Sequence, residues 1–314
     1  MAPRPVVVLA GGVGAARFLS GLVQVVAPEQ ITVIVNTGDD REFFGLRVCP
    51  DLDILTYTLA GRVRRETGWG LAGDTFHCLE ALRCLGSDAW FQLGDQDLAT
   101  HIQRSARLRQ GATLVEVTRE IVTAFGVAVE LLPMTEAPAP TRLMRRDREP
   151  SDFEEYLVRD GAPDDLEEVD LSAAASAAPA PGVLEALDAA QTLLICPSNP
   201  VVSIGTIRAM PALEHRLRAR RDAVAVSPII GGRPVKGPAD RLLRAVGSEV
   251  SALGVAKLYQ PIAKAFVIDR VDADLAPAIE ALGLRVQITN TLMKNARISR
   301  ELAEITCELA KGTA

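Results

Sequence analysis

Residues 6–36 constrain the fold more than any other stretch of this chain. Val6 to Ala10 reads VVVLA, a continuous apolar and largely β-branched run that stops at two glycines. Ala16 to Val26 then reads as a helix, and Ile31 to Asn36 (ITVIVN) is a second apolar run. Strands that are apolar throughout, not at alternate positions, are buried on both faces. Two of them joined through a helix make a βαβ unit, which predicts an α/β fold around a mostly parallel sheet with helices on both faces. Thr192–Cys196, Ala223–Ser227 and Ala265–Ile268 are further buried-strand candidates, and Ile298, Leu302, Ile305 and Leu309 mark the apolar stripe of a closing helix.

The segment 127–182 differs. It holds short alternating runs, a charged stretch and the tract AAASAAPAPG. It is expected to be a smaller α+β lobe inserted into a core made of 1–126 and 183–314, joined by a flexible return.

Bulk properties exclude several function classes. A net charge of −6 argues against a nucleic-acid surface, which needs basic patches. The one dense basic run, Arg216, Arg218, Arg220 and Arg221, precedes a strand candidate and reads as the solvated end of a helix. The apolar run after the first residues is too short for a secretory leader, and no stretch reaches the length of a membrane span. Cysteines 49, 78, 84, 196 and 307 form no CxxC pair and read as free thiols in a reducing cytoplasm.

Five segments can carry chemistry. Gly11, Gly12 and Gly14 lie at the first strand-to-helix turn, where backbone can approach a phosphate, and Arg17 follows in the first helical turn. No Gly-Lys-Ser/Thr follows, so this is not a Walker loop. The second strand ends at Asn36 where a dinucleotide site would place an acidic residue, so a dehydrogenase is disfavoured. Asn36, Asp39 and Asp40 lie past that strand, and Pro50 starts a helix with Asp51 and Asp53 in its first turn. Unpaired carboxylates are costly at such an edge. A hard cation shared with substrate phosphates relieves that cost, so Asp39, Asp51 and Asp53 are the candidate Mg²⁺ ligands. Asp97 and His101 are four apart on one helix face, with Arg104 beyond; Asp97 can orient His101, or the set can grip phosphate. Ser198 and Asn199 end one strand and suit hydrogen bonds to a base, ribose or phosphate. Ser227 ends another, before a loop whose Arg233 and Lys236 can face phosphates.

LAGGVGAARFLSGL, VNTGDD, VCPDLDILTYTL, GDTF, LGDQDLATHIQRS, CPSNPVVSIG, VSPIIGGRPVKGPA and NTLM occur in this order. Together they resemble the 2-phospho-L-lactate transferases of coenzyme F-420 biosynthesis over nearly the whole chain. The resemblance implies a Rossmann-like fold with an added lobe, a homodimer, and a requirement for Mg²⁺. It implies a deazaflavin acceptor, Fo, and a guanosine diphosphate donor carrying lactate, enolpyruvate or a related three-carbon acid. The terminal ribityl hydroxyl of Fo would attack the phosphate nearer the acid and release GMP. It places Asp53 against Fo as base or orienting group, with Asp39 as the second catalytic carboxylate and Gln92, Asp97 and His101 on the acceptor side. Gln92 stands where many relatives have a basic residue or glycine, Gln96 where they commonly have the Arg of GDRD, and Phe153 and Tyr156 where they tend to carry an aromatic pair with Trp. The competing expectation is a nucleotide-sugar-binding regulator of the related gluconeogenesis-factor type, without catalysis. Its DDGGSSG-like loop is replaced here by GDDREFFG.

Overall fold

The structure, a computed structural model, describes residues 5–312. The first four residues, on which the expectation about a leader partly rests, lie outside the described residues. Seven parallel strands form the central sheet: β1 (Val6–Ala10), β2 (Ile31–Val35), β3 (Glu130–Pro133), β4 (Thr192–Ile195), β5 (Ala223–Val226), β6 (Ala263–Asp269) and β7 (Arg285–Thr289). Their order is β7-β6-β5-β4-β1-β2-β3. β1 pairs with β2 on one side and β4 on the other, so successive connections leave β1 in opposite directions. That point, at the carboxyl ends of the strands, is where an open α/β sheet leaves a crevice.

Helices cover both faces. One apolar cluster packs Leu9, Ile34, Leu193, Ile195 and Phe266 with Ile207, Leu213 and Leu243. The other packs Val8, Val33, Leu194 and Val224 with Phe18, Leu22, Leu55, Leu302 and Cys307. The site rests on four helices: α1 (Gly12–Leu22), α2 (Pro50–Leu59), α3 (Asp95–Arg109) and α4 (Ala296–Lys311). α4 packs on α1 so closely that a Cβ at Gly21 would lie 2.2 Å from the Ser299 carbonyl oxygen. Among the described residues no helix is long and apolar enough to cross a membrane, and the five cysteines are free.

Two features differ from expectation. Glu130–Pro133, read as part of the inserted lobe, is the edge strand β3 of the central sheet, paired with β2. The alternating sequence that suggested a separate lobe belongs to this edge strand, which is exposed at Glu130 and buried from Leu131 to Pro133. The departure from the core therefore begins after Pro133. It contains a three-stranded antiparallel sheet of Ser151–Asp152, Arg142–Arg145 and Leu166–Asp170. The buried Arg145 guanidinium braces this unit through Asp160 and Asp165. The Ala/Pro tract, expected to be a flexible return, is packed: Ala174 and Ala180 are buried, and the Ala180 amide donates to the Met134 carbonyl. The basic run ends a helix, Pro211–Arg220, and its guanidinium groups pair with Asp188, Glu214 and Asp222.

Candidate active site

A cavity of about 430 Å³ opens at the carboxyl ends of the strands. Of the residues singled out in the sequence, Gly11, Gly12, Gly14, Arg17, Asp39, Asp51, Asp53, Gln92, Asp97, His101, Ser198, Asn199 and Ser227 line it. Two do not. Asn36 is buried beneath the floor, and Arg233 sits exposed on a two-residue hairpin strand (Arg233–Pro234) paired with Ile229–Ile230.

The glycine turn is built for close packing against its own chain. The Gly11 amide donates to Ser198 Oγ at 3.1 Å, bridging the crevice between β1 and β4. The Gly12 amide donates to Asp51 Oδ1 at 2.7 Å. A Cβ at Gly11 would meet Asp51 Oδ2 at 2.6 Å, and one at Gly14 would meet the Pro197 carbonyl oxygen at 2.2 Å. Of the three only Gly12 has a left-handed backbone (φ +73°), and an added Cβ there would meet only Asp51 Oδ1, at an ordinary contact of 3.9 Å. Gly11 and Gly14 are thus required by Asp51 and Pro197, a reason the sequence did not reveal.

The carboxylates separate into two groups. Asp39 and Asp51 converge on one amide: Asn36 Nδ2 donates to Asp39 Oδ2 at 3.2 Å and to Asp51 Oδ2 at 2.9 Å. Asp39 Oδ1 is buried without a partner. Burial, and then the neighbouring Asp51 charge, hold the Asp39 carboxyl well above the carboxylate range. Burial pushes Asp51 up to about 7. Burial and the Asp51 charge also raise Glu154, on the cavity wall, to about 7. Two crowded carboxylates with an orphaned oxygen fit a hard divalent cation, which would relieve their desolvation and repulsion. Among the described residues no three His, Cys, Asp or Glu side chains group as a metal site. Two ligands suit an ion that keeps water and substrate phosphate in its other positions.

Asp53 stands apart from that pair. Both its oxygens accept from Arg104: Oδ2 from Nη1 at 3.1 Å, and Oδ1 from Nη2 in a very short contact. Arg104 is buried, so it cannot reach phosphate as its spacing from His101 allowed. Arg104 Nη1 also lies 3.2 Å from His101 Nδ1. A guanidinium only donates, so Nδ1 accepts and the ring proton belongs on Nε2, which faces Asp97 Oδ1 at 3.3 Å. Tyr57 donates to the same oxygen at 2.7 Å. Burial alone would raise Asp97, but His101 and Tyr57 hold it below its ordinary value. Asp97 therefore sits against His101, whose buried Nε2 has no hydrogen-bond partner among the described residues, while Tyr57–Asp97 and His101–Arg104–Asp53 form two bonded groups along this side of the cavity.

Other polar groups are spent locally. Asn199 Oδ1 accepts from the amides of Val201 and Val202. Ser227 Oγ exchanges hydrogen bonds with the Ile229 backbone. Residues not singled out in the sequence also line it, including Trp69, Phe91 and Glu154, and Phe153 lines it as well. Phe91 stacks on Phe43 at 4.3 Å between centroids. Tyr156, paired with Phe153 in the sequence reading, is buried and donates to the Pro163 carbonyl. Lys236 lines the cavity near Arg17; burial and then the Arg17 charge lower its ammonium below its ordinary value.

The family model described as 2-phospho-L-lactate transferase CofD matches residues 6–292. This chain belongs to that family. It is 42% identical to a phosphoenolpyruvate transferase of Kitasatospora aureofaciens, with 98% of each chain covered. It is 43% identical, with the same coverage, to a phosphoenolpyruvate transferase of Streptomyces coelicolor. A 2-phospho-L-lactate transferase of Methanosarcina mazei is 38% identical, covering 95% of this chain and 98% of the other. The fold also matches crystal structures of the protein BH3568 from Bacillus halodurans, one described as a member of the upf0052 family. Their TM-scores are 0.59 and 0.60, the identities 17% and 15%, and the coverage of each chain is at least 97%. That likeness concerns fold alone. As a member of the CofD family the chain is a transferase, and the transferase motifs PDLD, LATH, PSNPVVSIG and SPIIGG all contribute residues to the cavity wall.

Proposed function

We propose that this transferase moves a three-carbon phospho-acid group from a guanosine diphosphate donor to the terminal ribityl hydroxyl of the deazaflavin Fo. The hydroxyl oxygen bonds to the phosphorus nearer the acid, the bond from that phosphorus to the bridging oxygen breaks, GMP leaves with that oxygen, and the hydroxyl proton passes through water to the departing phosphate. Support comes chiefly from one observation. The glycine turn, Arg17 and Lys236 line the same cavity as the Asp53–His101–Asp97 wall and the aromatic faces of Phe91 and Phe153. Phosphoryl transfer needs mainly alignment and charge neutralisation, which such a cavity supplies. Arg17 and Lys236 would take the diphosphate, with Ser198 and Asn199 beside it. Gln92 and the aromatic wall would take the acceptor. Asp53, held rigid by Arg104, would orient the attacking hydroxyl, and Asp39, with its free oxygen, faces the same space.

Asp39 and Asp51 would hold Mg²⁺, which when bound neutralises diphosphate charge. The acid is proposed to be enolpyruvate, because the relatives named phosphoenolpyruvate transferase are 42–43% identical and those named 2-phospho-L-lactate transferase 38–39%. A homodimer is proposed on the family resemblance, and the mass in solution tests it. The decisive experiment incubates the protein with Fo and each guanosine diphosphate-linked acid, with mass spectrometry of the products. Release of GMP with a phosphodiester on Fo is expected, fastest with the enolpyruvyl donor. No GMP from any donor would overturn the assignment.

A further inference from the structure

The segment from Arg62 to Ala72 forms a strap beside the cavity mouth. Its arms are tied by Val63 pairing with Leu71, by the Arg64 amide donating to the Gly70 carbonyl, and by the Ala72 amide donating to the Arg62 carbonyl. Its tip is Thr67-Gly68-Trp69-Gly70, with Gly68 and Gly70 in the left-handed region at φ +75° and +69°. Thr67 Oγ1 bonds the Trp69 backbone at both its carbonyl and its amide, which stiffens the tip. Trp69 lines the cavity and stays 39% exposed, so a large aromatic ring waits at the mouth.

Two contacts fix the tip to the donor end. A Cβ at Gly68 would lie 3.1 Å from Val13 Cγ1, so the tip rests on the start of α1. Lys236 Nζ donates to the Thr67 carbonyl oxygen at 2.6 Å from the opposite loop. That single contact joins positions 169 apart in the chain. The ammonium has three donors, and the Thr67 carbonyl uses one. The others have no protein acceptor among the described residues, and Arg17 is the nearby charge.

We infer that Lys236 is a positioning residue that ties the Trp69 strap to a bound diphosphate. Keeping its bond to Thr67, the ammonium donates its remaining hydrogens to phosphate oxygens. Binding of the anion then holds the strap down and places the Trp69 ring over the cavity mouth. The inference rests on the diphosphate end of the proposed function but not on the identity of the nucleoside or acceptor.

The test uses inorganic diphosphate as probe on the full chain. Trp69 and Trp90 are the only tryptophans, so in a Trp90→Phe background the emission reports Trp69 alone. Diphosphate is expected to shift and protect that emission from acrylamide. Adding Lys236→Met should weaken diphosphate binding by about ten- to a hundredfold, as for a lost hydrogen bond to a charged group. It should also abolish the emission change at saturating probe while leaving the thermal midpoint unaltered. Lys236→Arg should restore much of both. Diphosphate that binds without changing Trp69 emission, equal affinity in Lys236→Met, or no binding by the parent protein would each overturn the inference. A nucleotide screen is scored separately: a diphosphate response with no preference for GDP defeats the guanosine assignment and leaves the strap intact.

Discussion

The Asp53 carboxylate illustrates how one side chain can serve two demands. Its ion pair with Arg104 is buried on both sides, and removing one partner of such a pair strands the other. Asp53→Asn is therefore expected to cost about 3–5 kcal/mol of stability in addition to activity. Urea unfolding measures it, and an unchanged midpoint would remove the pair from the energetic account. Transfer should also fall by about 10²–10⁴-fold at saturating substrate, if the carboxylate handles the reacting hydroxyl. The Asp97–His101 pairing was legible in the sequence because four residues make one helical turn. The partner of Arg104 was not, since Asp53 lies 51 positions away on another helix.

Among the elements, the turn from β1 into α1 separates the roles of glycines that the sequence groups in one motif. Gly14→Ala must push α1 off the Pro197 carbonyl and should cost about 1–3 kcal/mol by overpacking. Gly12→Ala makes only an ordinary contact with Asp51 but needs a left-handed backbone, so about 1–2 kcal/mol of strain is expected. Its new methyl faces the proposed phosphate, so Gly12→Ala should lose more affinity for GDP than Gly14→Ala does. Calorimetry on folded protein decides it, and the reverse order would move the phosphate away from this turn. The strands β1, β2, β4, β5 and β6 were readable because burial on both faces leaves unbroken apolar runs. β7 was missed: RVQIT is an edge strand, half solvated, with polar side chains in its sequence. The GDTF and LGDQD motifs also hid a reciprocal device. Asp74 accepts from the Gln96 and Asp97 amides at the start of α3, while Asp95 accepts from the His77 and Cys78 amides at the start of the helix His77–Cys84. Such caps join segments distant in sequence, so no local pattern announces them.

At the scale of the whole molecule, the raised carboxyls make stability depend on pH. Asp51 and Glu154 hold protons in the folded state up to about 7, against ordinary values of 3.8 and 4.5. Their contribution is complete below the ordinary range and is lost as pH rises through about 7. Without divalent cations the melting temperature should fall from about pH 5.5 to about pH 8. Asp51→Asn should flatten that fall. Mg²⁺ should raise the melting temperature more at about pH 8 than at about pH 5.5, where protons compete for the same oxygens. An equal rise at both values would place the cation elsewhere. The packing of α4 on α1 bears finally on synthesis. A ribosome has made nearly the whole chain before the residues that cover Phe18 and Leu22 exist, among them Leu302 and Cys307. Until then the nascent first helix presents an uncovered apolar side to chaperones and proteases. A premature stop codon shortly before residue 296 would spare every lining residue of the cavity and still leave its glycine turn without backing, so such a product is expected to be degraded and not to accumulate as a partly active enzyme.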